Sequence, residues 1–146
     1  MSQSTHAWSQ THHGGRRKLV NWRNTGVVAL FLFGTTFLWL TSAFAGKTHP
    51  PTGVAWTITN VLAIVTVLGF SVASWGILKV SAWWEALAAG SAVFGVAVLI
   101  PYWFAAHSIS GVGSTAYAIA IHVIGSAVVP VLLTVPTFEH WIQHQL

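Results

Sequence analysis

One ionisable residue, His122, lies deep inside a long apolar stretch near the end of the chain. The stretch covers residues 114–138 and reads STAYAIAIHVIGSAVVPVLLTVPTF, which as a helix is long enough to cross the roughly 30 Å hydrocarbon core of a bilayer. Residues four apart along it form a row that is small or polar: Ser114, Ala118, His122, Ser126, Pro130 and Thr134. Because such a row is poorly suited to lipid, we expect it to face protein.

An ionisable side chain within a membrane is costly enough to be a candidate for function. His122 has three interpretations: a neutral imidazole that hydrogen-bonds a neighbouring helix, a group on a proton or ion pathway, and an axial ligand of haem. A bis-histidine haem needs a second histidine at a similar depth. The available partner is His107, which differs in depth by about two helical turns on straight helices, so the haem interpretation fits poorly.

Two further polar residues belong to the predicted spans. Glu85 is either the coupling carboxylate of a proton-driven transporter or, as its place in the first turn of a helix favours, an interfacial carboxylate stabilised by the helix dipole. Asn60 lies near the outer end of the second span. We expect the Asn60 side chain to hydrogen-bond His107 or a backbone group.

The polar tails carry further histidines but no catalytic pattern. His140 and His144 are four residues apart, a spacing that suits a zinc or copper ion on one helix face, although no accompanying motif supports a metal site. The chain has two acidic residues and no cysteine. A nucleophile with its base, paired carboxylates and thiolate metal sites are therefore not expected, and we predict that the protein is not an enzyme and has no resident cofactor.

Composition predicts the elements that hold these residues. Of 146 residues, 5% are charged and 54% are hydrophobic, with a mean hydropathy of +0.67, whereas a soluble domain has roughly 25% charged residues. We predict an all-α, multi-pass membrane protein, a bundle of four spans at residues 25–45, 54–78, 85–106 and 114–138. A disordered cytoplasmic tail, residues 1–24, precedes the bundle, and a short interfacial tail, residues 139–146, follows it.

The connections between spans are predicted from turn chemistry. A proline pair after the first span predicts an exposed loop. Residues 79–85 predict a tight turn in which Ser81 caps the next helix, and residues 107–113 predict a polar loop. Pro101 lies late enough in the third span that we expect it to kink only the final turn.

Basic residues predict the orientation. Four of the six precede the first span: Arg16, Arg17, Lys18 and Arg23. With Lys79 on the same side, the positive-inside bias places both termini in the cytoplasm and the protein in the plasma (inner) membrane. The first segment also resembles a cleavable signal peptide, since Ala43-Phe44-Ala45 follows a basic region and an apolar run. Against cleavage, the apolar run has the length of a span and further spans follow.

Two segments carry a resemblance to a known family: VLAIVTVLGFSVASWGILK at residues 61–79 and AIAIHVIGSAVVPVLL at residues 118–133. They resemble a family of small four-helix membrane proteins that is common in actinobacteria. In that family the last helix carries a histidine followed by a Val/Ala-rich run and a proline, which here are His122 and Pro130. The resemblance implies the four-helix fold, and it implies no activity, ligand or partner.

These observations favour a non-enzymatic membrane protein that acts by association, as a homo-oligomer or as an accessory subunit of a larger complex. Small residues motivate this expectation, since Ala88 and Ala92, and Ser91 and Gly95, repeat at the spacing of helix-packing motifs. The first alternative is a small oligomeric transporter or channel that uses His122, and the second is a haem-binding redox subunit. Lipid and other membrane subunits are the expected partners, and nucleic acid is not.

Overall fold

The computed structural model of the protein describes residues 22–41, 51–110 and 112–134. Every regular element within these ranges is a helix: α1 (Trp22–Thr36), a short 3-10 helix (Phe37–Leu40) that continues it, α2 (Val54–Leu78), α3 (Trp84–Ala97), α4 (Leu99–Ser110) and α5 (Val112–Thr134). The prediction of an all-α fold is confirmed for this part of the chain.

Four helical stretches are long and apolar enough to cross a membrane: Arg23–Leu40, Val54–Leu78, Trp84–His107 and Gly113–Thr134. The first combines α1 with the 3-10 helix, and the third combines α3 with α4. Their number agrees with the predicted number of spans, and α2 has the bounds expected for the second apolar segment.

Helix α2 lies at the centre of the packing. It packs most extensively against α1 and α3, while α5 packs against α3 and α4. Glycines permit the close approaches: a β-carbon added to Gly34 would lie 2.5 Å from the Phe70 β-carbon, and one added to Gly76 would lie 2.7 Å from that of Trp84. In the most apolar 18 residues of each helix, 39% of the residues of α2 are buried, against 11% of those of α5. Helix α2 is therefore the more enclosed of the two.

The third span is broken at Val98, one turn before its proline. Proline has no N–H, and its ring crowds the carbonyl four residues earlier; for Pro101 that carbonyl belongs to Ala97, where α3 ends. Helix α4 then continues to Ser110. The prediction that Pro101 kinks only the final turn is therefore wrong, because the break precedes the proline and the helix resumes across it.

The polar loop predicted at residues 107–113 is also wrong. Helix α4 runs to Ser110 and α5 starts at Val112, so Gly111, which is outside the described residues, is all that separates them in the sequence. Serine and glycine weaken a helix by at most about 1 kcal/mol each. That cost is small beside the backbone hydrogen bonds that the helical conformation satisfies, so both helices extend into the predicted loop.

Backbone hydrogen bonds close the turn between α2 and α3. The Ser81 amide donates to the Gly76 carbonyl at 3.0 Å and the Val80 amide donates to the Ile77 carbonyl at 3.1 Å, which is the Schellman pattern. The left-handed position of this motif is occupied by Val80, with a φ of 53°, where glycine is usual. The predicted cap is wrong, because Ser81 closes α2 and α3 begins after Trp83 with no side-chain cap.

The first helix is displaced towards the N-terminus from its predicted range of 25–45. It starts at Trp22, inside the segment predicted as disordered, and the helical backbone stops at Leu40. Thr41 is extended, and its amide and hydroxyl both donate to the Leu38 carbonyl, at 3.0 and 2.7 Å. These two bonds end the helix before the predicted boundary.

Several predictions lie outside the described residues. They concern the rest of the N-terminal tail (1–21), the proline loop and candidate cleavage site (42–50), and the C-terminal end (135–146) with His140 and His144. Pro51 belongs to the predicted exposed loop and is described; it is buried, so the prediction of exposure is wrong for this residue.

Candidate functional site

His122 lies in the middle of α5 and is turned into the bundle. Its side chain is 6% exposed, and Ser126, one turn later, is 1% exposed. Ala118 and Pro130 are half-buried, whereas the two residues at the ends of the small and polar row are exposed. The expectation that this row faces protein is confirmed for its middle and wrong for its ends.

Both ring nitrogens of His122 face backbone carbonyl oxygens. Nδ1 lies 2.7 Å from the Ala118 oxygen, one turn earlier on α5, and Nε2 lies 3.3 Å from the Thr36 oxygen at the end of α1. A carbonyl oxygen only accepts hydrogen bonds. A neutral imidazole has a single N–H and donates to one of these oxygens, and the shorter distance assigns that proton to Nδ1.

The backbone of α1 changes where it meets His122. The α-helical part ends at Thr36, and the chain tightens there into the 3-10 helix. At such a transition carbonyls pair with amides three residues on instead of four, and the geometry of these hydrogen bonds is poorer. The Thr36 hydroxyl does not compete for the imidazole, since it donates to the Phe33 carbonyl at 2.6 Å.

Aromatic rings surround the imidazole. The Phe37 ring centroid is 4.8 Å from that of His122, with the planes at 68°, and Phe33 meets Phe37 edge to face at 5.6 Å. Gly125 gives Phe33 its space, because a β-carbon added to Gly125 would overlap the Phe33 ring. We define the α1–α5 seam as Phe33, Thr36 and Phe37 with His122 and Gly125.

Ser126 differs from most buried hydroxyls of the described helices. Others donate to the carbonyl one turn earlier, as Ser74 does to Phe70 at 2.8 Å. The Ser126 hydroxyl is buried and has no hydrogen-bond partner. Its backbone carbonyl also loses the usual helical donor, because Pro130 has no N–H.

Gly95 on α3 faces the Ser126 hydroxyl. A β-carbon added to Gly95 would lie 3.1 Å from Ser126 Oγ and 2.7 Å from Phe37 Cζ. The Ser126 hydroxyl and the Phe37 ring therefore both lie against Gly95, and Phe37 also contacts the ring of His122, one turn earlier on α5. The candidate site is this polar pair, enclosed by aromatic rings and glycines.

His107, the candidate second haem ligand, has its partners on α4. Its Nδ1 lies 2.7 Å from the Trp103 carbonyl, and its ring stacks on Trp103 at 5.5 Å. A haem ligand must turn a ring nitrogen to the iron, with space for the porphyrin around it. Both nitrogens of His122 instead face carbonyls, and its ring contacts Phe37. The two histidines do not fit a bis-histidine haem.

The other candidates are separate from His122. Glu85 lies in the first turn of α3, the position that the helix dipole favours for a carboxylate. The Asn60 side chain donates to the Trp56 carbonyl at 3.0 Å. Of the two expected partners, His107 or a backbone group, this is the backbone group. Among the residues that the structure describes, no group of three or more metal-ligating side chains is close enough to hold an ion.

Sequence reasoning missed the α1 half of the site. Phe33 and Phe37 belong to an apolar run that also carries the exposed Phe31 and Leu32, and nothing in the run distinguishes inward from outward rings. Gly125 was the available signal. A glycine three residues after a buried histidine indicates that a bulky group approaches that face of the helix.

Comparisons of the chain with protein-family models, with curated protein sequences and with solved structures find no match. The resemblance to the actinobacterial four-helix family therefore stays a prediction.

Proposed function

We propose that the protein is an integral, multi-pass plasma-membrane protein whose four spans place both termini in the cytoplasm. Large apolar side chains on outward faces support insertion, for example Phe104 at 66% exposed and Ile124 at 64% exposed. Such surfaces are unfavourable in water and suit lipid. The basic residues before the first span and Lys79 in the α2–α3 turn support the orientation.

The orientation is tested with single cysteines, since the natural chain has none. Thr52 and Ala82 are exposed next to opposite ends of α2. A membrane-impermeant thiol reagent added to intact cells is expected to label Thr52→Cys and to leave Ala82→Cys unlabelled until the cells are opened. The reverse pattern would show that the termini face outward.

Within that membrane we propose a non-enzymatic role by association, through the outward face of α5, with a transmembrane helix of a second copy or of another subunit. The small residues that first suggested association do not support it, because Ala88, Ser91 and Ala92 are buried within the single chain. The observation that carries the proposal is on α5, where Ala116 and Ala120 are both exposed at helix-packing spacing.

Disulfide crosslinking in native membranes tests association. Ala116→Cys and Ala120→Cys are expected to form a crosslinked species of higher mass under a mild oxidant. Val65→Cys, on an exposed position of α2, is the matched control and is expected to stay monomeric. Equal crosslinking at all three positions would indicate random collision, and monomer alone at all three, with a bifunctional thiol reagent as well as the oxidant, would remove the proposal.

A second candidate function, a small transporter or channel, is favoured by one observation. The His122 imidazole is buried within α5 and contacts carbonyls of two helices, and ionisable residues inside membrane spans often belong to proton relays. Proton flux into liposomes that contain the purified protein is the test. Flux that is equal for the natural protein, for His122→Gln and for empty liposomes would eliminate this candidate.

A further inference from the structure

The hydrogen-bonding groups around His122 do not balance for a neutral ring. Two oxygens that only accept, those of Ala118 and Thr36, face two ring nitrogens at 2.7 and 3.3 Å. With the proton on Nδ1, the lone pair of Nε2 points towards the lone pairs of the Thr36 oxygen. An imidazolium has two N–H groups and satisfies both contacts.

We propose that His122 binds a proton inside the bundle, and that the imidazolium so formed joins α5 to the end of α1 through the Thr36 carbonyl. The ligand of the site is the proton itself, held by Nε2 and shared with that oxygen. This inference does not depend on association through α5.

Backbone dipoles replace a counter-ion at this site. The titratable or charged groups of the described helices around α5 are Arg23 on α1, Lys79 after α2, Glu85 on α3, and Tyr102 and His107 on α4. Within the described residues, no hydrogen bond or ion pair joins any of them to His122. The charge-stabilising groups are the two carbonyl oxygens.

Ser126 is a second unmet hydrogen-bonding group, one turn further along α5. Its hydroxyl is 1% exposed and has no partner. Buried polar groups are rarely left unpaired, so each exception calls for an explanation. A proton on Nε2 accounts for the contacts of the imidazole alone, and the proposal therefore rests on the geometry of His122 and its two carbonyl oxygens.

Binding of the proton changes the contact between helices, because the Thr36 oxygen belongs to α1 and the imidazole to α5. With the proton bound, a charge-assisted hydrogen bond joins the helices. Without it, Nε2 and the oxygen repel each other and only aromatic packing remains across the α1–α5 seam. The seam is therefore expected to be tighter when the proton is bound.

Nitrogen NMR of the full-length protein in lipid bilayers tests the proposal, since ring nitrogens of imidazole and imidazolium have distinct shifts. The protein is labelled with ring-¹⁵N histidine, and the His122 signals are assigned by their loss in His122→Gln. Spectra are recorded in alkaline and in acidic buffer, and the His122 nitrogens are expected to show the imidazolium pair of shifts in acid. A neutral ring in both buffers would overturn the proposal.

His107 supplies the matched control. It makes the same bond from Nδ1 to the carbonyl one turn earlier, at 2.7 Å, but within the described residues no carbonyl contact is found for its Nε2. Its spectra in the same two buffers show the behaviour of a histidine with one such contact.

A distance measurement keeps the test valid if His122→Gln fails to fold. With carbonyl-¹³C threonine added to the labelling, a dipolar contact between Nε2 and the Thr36 carbonyl is expected in the acidic state. The contact must disappear in Thr36→Ser, which retains the hydroxyl that bonds Phe33 but lacks the label. An imidazolium with no such contact would show that the proton is held elsewhere, and the proposed join between α1 and α5 would be wrong.

Discussion

The α2–α3 interface and the α1–α5 seam belong to the same bundle but are built from different chemistry. We define the α2–α3 interface by Gly69, Ala73 and Gly76 against Trp84, Ala88 and Ser91. Here Ala73, Trp84 and Ala88 form one buried cluster, and the Ser91 hydroxyl is satisfied within its own helix by the Leu87 carbonyl at 2.7 Å. Across the α1–α5 seam, bulky rings and an imidazole bridge the helices instead.

The difference lies in where the polar groups find their partners. In the α2–α3 interface Ser91 bonds back to its own helix, so the contact between helices is made by apolar surfaces and does not depend on protonation. In the α1–α5 seam, Nε2 of His122 depends on a carbonyl of another helix, and Ser126, one turn further along α5, has no partner. The first interface is permanent, while the second depends on the protonation of one ring.

The largest expected effect is at the centre of the seam. Phe37 is fully buried and contacts Phe33, Phe70 and His122, so Phe37→Ala removes all these contacts and leaves a cavity. We expect a loss of about 3 kcal/mol in the free energy of unfolding, measured by SDS titration in mixed micelles. Phe104→Ala, at a position 66% exposed, is the control and is expected to change little. Equal effects would mean that the rings of the seam are not packed as described.

The next effect concerns the α2–α3 interface. Gly76→Ala places a β-carbon 2.7 Å from the Trp84 β-carbon, which is close to the backbone and cannot rotate away. Overpacking of this kind is expected to cost about 2 kcal/mol in the same titration. Gly90 on α3 has nothing within 4 Å of an added β-carbon, so Gly90→Ala is expected to stabilise slightly through helix propensity. If Gly76→Ala leaves the free energy of unfolding unchanged, the α2–α3 interface is packed less tightly than the α1–α5 seam.

The sequence predicts the apolar helices well and their partners poorly. Long apolar runs locate the spans, because such a run folds as a helix, which satisfies its own backbone hydrogen bonds. His122 stands out because an ionisable residue is rare among apolar ones. The effect of Pro101 falls four residues earlier, at Ala97, and therefore cannot be located from the position of the proline alone. The contribution of Thr36 is a backbone carbonyl at a local change of helix type, which side-chain patterns do not report.

A matched pair of substitutions compares two buried hydroxyls, that of Ser126 next to the α1–α5 seam and that of Ser74 on α2. Ser126→Ala removes a buried hydroxyl without a partner, so the folded state is expected to gain about 1 kcal/mol. Ser74 on α2 is similarly buried, at 3% exposed, but its hydroxyl is bonded to the Phe70 carbonyl, so Ser74→Ala is expected to be neutral or destabilising. SDS titration of both variants measures the difference. Destabilisation by Ser126→Ala would indicate that its hydroxyl is satisfied by a bound water or ligand.

The smallest effect concerns the turn that joins α2 to α3. Val80 adopts a φ of 53°, a left-handed conformation that is unfavourable for a β-branched residue, and the Schellman bonds on either side of it hold it there. Val80→Gly removes that strain but increases the entropy of the unfolded chain, so the net gain is expected to be about 0.5 kcal/mol. Val80→Ala keeps the β-carbon and is expected to gain less. If neither variant is stabilised in SDS titration, Val80 is not strained in the turn. The α2–α3 interface would then be packed less rigidly than its contrast with the α1–α5 seam requires.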